Sequence, residues 1–198
     1  MFTITTSNLN LILCKKFFIT EKMTYEYEKY ICTPEDIKKN IEEYGVAIIP
    51  SVLNEGEIEE MRKGMWSYLG HVTQNFDKPI KKEDPSSWVE YHKLYPKHAM
   101  LLQQYGIGHH QFVWDIRQNP NVVKVFSELW NVKEEDLLVS FDGASFHFPP
   151  EETNRGWYRK TWYHTDQSYF KPDFECVQSW VTAYDVDEGR CYFSIYGG

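Results

Sequence analysis

Cys176-Val177-Gln178-Ser179-Trp180-Val181-Thr182-Ala183-Tyr184 reads as one extended strand. Side chains alternate across it: Val177, Ser179, Val181 and Ala183 take one face, and Cys176, Gln178, Trp180, Thr182 and Tyr184 the other. β-branched and aromatic residues at period two fit a pleated, half-buried surface. Working back from this strand, Trp157 to His164 is a second strand candidate, and Leu137 to Phe148, closed by Pro149-Pro150, is a third. Seven Trp, fourteen Tyr and twelve Phe make 17% of the chain aromatic, which leans the same way, towards a β-rich core.

Upstream of residue 137 the period changes to that of a helix. Thr33 is placed to cap a helix with Pro34 at its first position and Glu35 and Asp36 at the positive end of its dipole. Ile37, Ile41 and Tyr44 form its buried stripe, and Gly45 stops it. Val46-Ala47-Ile48-Ile49-Pro50 then reads as a buried strand. A second helix is expected from about Glu55 to Leu69 with Ile58, Met61, Met65 and Leu69 on one face, and a third from Asn119 and Pro120 to about Trp130 with Val122, Val125, Phe126 and Leu129 inward. The stretch from His71 to Pro96 has little periodicity and reads as a long excursion. Helices followed by strands give an α+β fold.

Residues 23–198 are read as one domain, since 198 residues suit a single core. Residues 1–22 fit poorly with the rest of the chain and are expected to be a disordered or spurious extension; a short ordered N-terminal strand is the alternative. The net charge of −8 and the scattered Lys and Arg argue against a nucleic-acid partner. Leu11-Ile12-Leu13-Cys14, the longest apolar run near the start, is far short of a membrane span, and Lys15-Lys16 follow it where a signal peptide would place them before, so no membrane association is expected. Cys14, Cys32, Cys176 and Cys191 form no CxxC pair and no zinc spacing, and read as thiols of a reducing, cytoplasmic setting.

The chemistry concentrates at His164-Thr165-Asp166. A His-x-Asp pair leaving a strand can offer an imidazole and a carboxylate to one metal, and a third ligand from a distant strand would complete the 2-His-1-carboxylate triad of non-haem Fe(II) oxygenases. The tripeptide alone is weak, because with seven histidines and 29 acidic residues about one His-x-acid arises by chance. Its context carries more. Trp162-Tyr163-His164-Thr165-Asp166-Gln167 precedes the Trp180 strand and the acidic turn Asp185-Val186-Asp187-Glu188-Gly189, while Gly45-Val46-Ala47-Ile48-Ile49-Pro50 leads through Val52-Leu53 to an acidic helix with Glu57-Ile58-Glu59-Glu60-Met61-Arg62. In these features, over about residues 33–190, the chain resembles the phytanoyl-CoA dioxygenase family of Fe(II)- and 2-oxoglutarate-dependent oxygenases.

The resemblance implies N-terminal helices packed on a double-stranded β-helix, a cupin-like jelly roll. It implies His164 and Asp166 as iron ligands and Trp180 as a wall of the 2-oxoglutarate pocket; Trp180 as a core aromatic of the sheet is compatible with both. Because Asp166 keeps the carboxylate that related halogenases replace, hydroxylation of an aliphatic C–H of a small or acyl-type substrate is the implied reaction, with 2-oxoglutarate oxidised to succinate and CO₂. The resemblance also implies a second histidine well beyond the acidic turn and an Arg further on that holds 2-oxoglutarate. Here only Arg190-Cys191-Tyr192-Phe193-Ser194-Ile195-Tyr196-Gly197-Gly198 follow Gly189, with no histidine after His164. The expectation is therefore an oxygenase cut short at its C-terminus, missing strands of the jelly roll, weak in iron binding and impaired in catalysis. A non-catalytic binding or interaction protein that retains the front of the fold is the alternative. Of the other histidines, His109, His110 and His147 are expected to pack and not to ligate. Arg159 or Lys160 could meet a carboxylate, and Gln104, His109 and Gln111 fall where the family has a polar cosubstrate contact.

Overall fold

The computed structural model describes residues 2–5, 11–14, 27–141, 143–155, 167–168, 170–171 and 173–185, the first two stretches and residue 185 as backbone alone. It is a mixed helix and sheet structure. Strands β1 (Phe2–Thr5) and β2 (Leu11–Cys14) open it, so the segment expected to be an extension carries two strands. A 3-10 turn at Pro34–Asp36 runs into α1 (Ile37–Tyr44), followed by β3 (Val46–Ile49) and α2 (Glu55–Val72). A ten-residue 3-10 helix, Pro85–Leu94, precedes β4 (Leu101–Leu102). Then come α3 (Gln111–Arg117), α4 (Pro120–Trp130), β5 (Ala144–Ser145), α5 (Pro150–Thr153) and β6 (Gln178–Asp185).

The strands form one sheet in the order β3-β2-β6-β1-β5-β4. Antiparallel pairs join β3 to β2, β2 to β6 and β5 to β4, while β1 runs parallel to both β6 and β5. The alternating strand around Trp180 therefore lies inside the sheet, with β2 on one side and β1 on the other. Trp180 sits opposite Ile12, and Val181 opposite Leu11.

The helices form where capping and apolar spacing agree. Gly45 ends α1 in the left-handed region (φ 73°), a conformation that a residue without Cβ adopts at little cost, and its N–H returns to the Ile41 carbonyl. Ile37 and Ile41 are fully buried. The N-terminus of α2 is a complete capping box: Asn54 Oδ1 accepts from the Glu57 N–H at 3.0 Å, and the Glu57 carboxylate accepts from the Asn54 N–H at 2.8 Å. The other Glu57 oxygen accepts from Asn119 Nδ2 at 2.8 Å, and Asn119 Oδ1 caps α4 by accepting from the Asn121 N–H. One carboxylate thus ties two helix N-termini together. Met61, Met65, Tyr68 and Leu69 of α2 meet Phe112, Val113 and Ile116 of α3 and Val122, Val125 and Leu129 of α4 in one core.

Two stretches depart from the sequence expectation. The excursion after His71 extends α2 to Val72 and then makes the 3-10 helix Pro85–Leu94. Trp88, Tyr91 and Leu94 are spaced by three, the repeat of a 3-10 helix, which stacks them on one side. The strand expected over Leu137–Phe148 shrinks to Ala144–Ser145. Ahead of it Leu138 is 98% exposed and Val139 and Phe141 are exposed too, so their alternation finds no neighbouring strand among the described residues. Among the described residues no helix is long and apolar enough to cross a membrane.

Candidate metal centre and its surroundings

Trp180 is 5% exposed, and Val181, Thr182 and Ala183 beside it are buried as well. Both faces of β6 are therefore covered, which the alternating pattern alone did not require. On the Val181 and Ala183 side the cover is the helical layer, since both belong to the core shared with α2, α3 and α4. The far end of the strand is held by two side chains of α2. Arg62 Nε donates to the Ala183 carbonyl at 2.6 Å, with its guanidinium 4.7 Å from the centre of the Tyr184 ring. Trp66 Nε1 donates to the Tyr184 hydroxyl at 2.9 Å.

Beneath that contact lies a pile of aromatic rings. Trp66 lies 5.6 Å from Trp88 and 5.9 Å from Phe148; Phe148 reaches Tyr91, Tyr91 reaches Phe146, and Phe146 stacks on Tyr68. The Tyr91 hydroxyl donates to the Met100 carbonyl, and burial pushes its ionisation well above the usual tyrosine range. The sequence pattern did not reveal this arrangement; its only signal was the aromatic content, because the rings come from α2, the 3-10 helix and the segment after β5.

His164 and Asp166, the expected ligands, lie outside the described residues, as do Arg159 and Lys160. The described chain resumes one residue after Asp166. There Gln167 Nε2 donates to the carbonyls of Lys171 and Asp173, and its Oε1 accepts from the Glu175 N–H at 3.2 Å. Lys171 pairs with Glu175 at 2.6 Å. Phe174 stacks on Trp130 of α4 with ring centres 5.3 Å apart, and β6 starts at Gln178. Phe170 projects from this loop and is 96% exposed.

The remaining candidates are engaged locally. The exposed His109 ring lies 4.2 Å from that of Phe141. His110 sets its ring against Tyr68 and Phe112, at 5.3 and 5.1 Å, and burial, with His71 nearby, lowers its pKa. His147 is partly buried, and burial pushes its pKa down to about 4, so it is a neutral imidazole at pH 7. Gln111 donates to Asp115 one helical turn on at 2.7 Å, and Gln104 Oε1 accepts from the Gln103 N–H. Among the described residues no three His, Cys, Asp or Glu side chains gather as a metal site. By chemistry the pair at 164 and 166 suits ferrous iron, offering one imidazole nitrogen and one carboxylate oxygen.

Comparison with known proteins points the same way as the motif. The chain is 30% identical over 133 residues to a Dictyostelium discoideum protein named "Putative phytanoyl-CoA dioxygenase", a stretch covering 64% of this chain and 35% of that protein. It is 31% identical over 105 residues to "Ava biosynthesis cluster protein O" of Aspergillus versicolor, covering 53% of this chain and 32% of that protein. The chain spans about a third of the length of the curated relatives it matches. No protein-family model matches it, and no solved structure does. The class these findings support is a likeness to phytanoyl-CoA dioxygenase-like proteins. Of the two relatives, the Dictyostelium protein is the one whose name carries an activity.

Proposed function

We propose that this chain is part of an Fe(II)- and 2-oxoglutarate-dependent oxygenase that hydroxylates an aliphatic carbon of a small or acyl-type substrate, built on N-terminal helices packed against a jelly roll. The observation that carries this reading is the order of parts at one place: His164 and Asp166 come directly before the Gln167 loop, which runs into β6 and its buried Trp180. Similarity to a protein named for this activity supports it.

His164 and Asp166 would hold the iron, and Trp180 would wall the cosubstrate. With O₂ and 2-oxoglutarate, a bound ferrous ion supplies the oxidising power that no side chain has. The chain's own share is to fix the two ligands, to exclude water with buried aromatic and aliphatic side chains, and to keep β6 in place through Arg62 and Trp66. Nothing in the charge distribution favours a nucleic acid as substrate.

The test is anaerobic calorimetry of the full chain with Fe(II) and 2-oxoglutarate. Metal-dependent binding of 2-oxoglutarate, lost in His164→Ala and in Asp166→Ala, is the expected result. A chain that binds neither metal nor cosubstrate sinks the proposal.

A further inference from the structure

We propose that residues 137–141 form a docking strand for an extended peptide of another protein, one with alternating apolar side chains and basic residues at its ends. Leu138 is 98% exposed, Val139 57% and Phe141 61%. The segment is nevertheless held at both ends. Leu137 has extended backbone (φ −76°, ψ 134°), and its N–H returns to the Glu134 carbonyl at 3.2 Å. At the other end the centre of the Phe141 ring lies 4.2 Å from that of His109 and 5.9 Å from that of Trp114, with the Arg117 guanidinium 5.7 Å away. Between these anchors nothing pairs: among the described residues, the backbone N–H and C=O groups of residues 138–141 make no hydrogen bond. An extended segment with unmet backbone groups and open apolar side chains is a template for another strand.

A helix satisfies its own backbone and would leave these groups unmet, whereas an extended peptide bonds them at every second residue. Its side chains then meet Leu138 on one face and Val139 and Phe141 on the other. Charge selects the peptide. Glu134, Glu135 and Asp136 stand exposed just before the segment. Lys133 pairs with Glu135 at 3.7 Å, and Lys124, which also feels Glu134, pairs with Glu35 at 2.5 Å. Glu134 and Asp136 form no ion pair among the described residues. Arg117, at the far end, donates to the Gly108 carbonyl at 2.6 Å and lies against the Trp114 ring. Basic side chains on an incoming peptide therefore meet an acidic rim, and the net charge of −8 draws them from a distance. A second copy carries the same −8 and the same acidic turn, which opposes its approach.

The probe is the dye-labelled peptide Lys-Lys-Val-Thr-Val-Thr-Val-Lys-Lys, blocked at both ends and titrated into the full chain. Fluorescence anisotropy reads the affinity, and amide hydrogen exchange reads the mode. Expected are saturable binding that weakens with salt and new protection at alternate amides of the segment, either 138 and 140 or 139 and 141. The same peptide with glutamate in place of every lysine is expected to bind at least about tenfold more weakly. Glu134→Lys combined with Asp136→Lys is expected to reverse the order of the two peptides. Leu138→Ser is expected to weaken the basic peptide about tenfold while the melting temperature holds, because this side chain packs on almost nothing in the free chain. No saturable binding of the basic peptide overturns the proposal, as does equal binding of both peptides or protection that misses residues 138–141. Self-association in sedimentation, lost in Leu138→Ser and accompanied by no peptide binding, assigns the segment to a second copy and overturns it as well.

Discussion

The indole Nε1–H of Trp66 donates to the hydroxyl of Tyr184 at 2.9 Å, joining α2 to β6 across 118 residues of sequence. Arg62, one turn earlier on the same helix, reaches the Ala183 carbonyl and covers the Tyr184 ring. The two contacts act on one strand end and differ in kind. Trp66→Phe removes a neutral donor and leaves the ring pile largely intact, at a cost of about 0.5–1.5 kcal/mol. Arg62→Ala removes a charged hydrogen bond and the cation–π contact, and is expected to cost about 2–3 kcal/mol. Urea unfolding of both variants checks the order; equal losses would mean the guanidinium adds nothing.

Gly64 lies on the face of α2 where α3 approaches. A Cβ built there would stand 2.3 Å from Phe112 Cβ, and Phe112 is buried. In a helix interior alanine is normally about 1 kcal/mol better than glycine. Here the clash is with a Cβ, which cannot swing aside without moving α3, so overpacking outweighs propensity. Gly64→Ala is expected to lower stability by about 1–3 kcal/mol, read as a lower melting temperature.

Glu57 serves two helices, closing the box at Asn54 and accepting from Asn119. Glu57→Ala leaves the Asn54 N–H and the Asn119 amide without this acceptor. The expected loss is about 1–2 kcal/mol, larger than for Glu55→Ala in the same turn, which tests the dipole contribution alone. Equal effects in denaturant would show that the second bond carries no weight.

Three histidines make the fold sensitive to acid in one direction. Burial lowers the pKa of His147, to about 4, and also those of His92 and His110, with nearby Arg155 and His71 adding to the last two. Between about pH 4 and the ordinary imidazole value near 6.5, the unfolded chain therefore binds more protons than the folded one. Stability is full above that upper value, rises with pH inside the window and falls as the solution is acidified through it. For His147, which keeps some exposure, the swing is about 1–3 kcal/mol. Chemical denaturation at pH 7 and pH 4 should show His147→Phe losing less than the wild type; parallel losses would count against a buried neutral imidazole.

Much of the helical layer was legible because local chemistry and burial agree there. Pro34, Gly45 and Asn119 mark ends, and most of the expected stripe residues are buried, with Tyr44, Ile58 and Phe126 half-buried. Helix α3 escaped because it has seven residues and starts just after His110, which makes no side-chain cap. The 3-10 helix escaped because spacing by three matches neither the helical nor the strand template. Leu137–Phe141 misled for the opposite reason: alternation records what a segment can pair with, and pairing depends on a neighbour elsewhere in the chain. The proposed ligands His164 and Asp166 stand out as a sequence motif and lie outside the described residues. Gln167 carried no signal, since three bonds to backbone groups four to eight residues ahead leave no mark on composition or period.

The close approach of Trp66 and Trp88, ring centres 5.6 Å apart and inclined at 36°, has an optical consequence. Two indoles so near and so skewed couple their strong far-ultraviolet transitions, which is expected to add a paired positive and negative band to the far-ultraviolet dichroism. That couplet exists only while α2 and the 3-10 helix stay docked, so the chain carries its own chromophoric gauge of whether those two segments have parted.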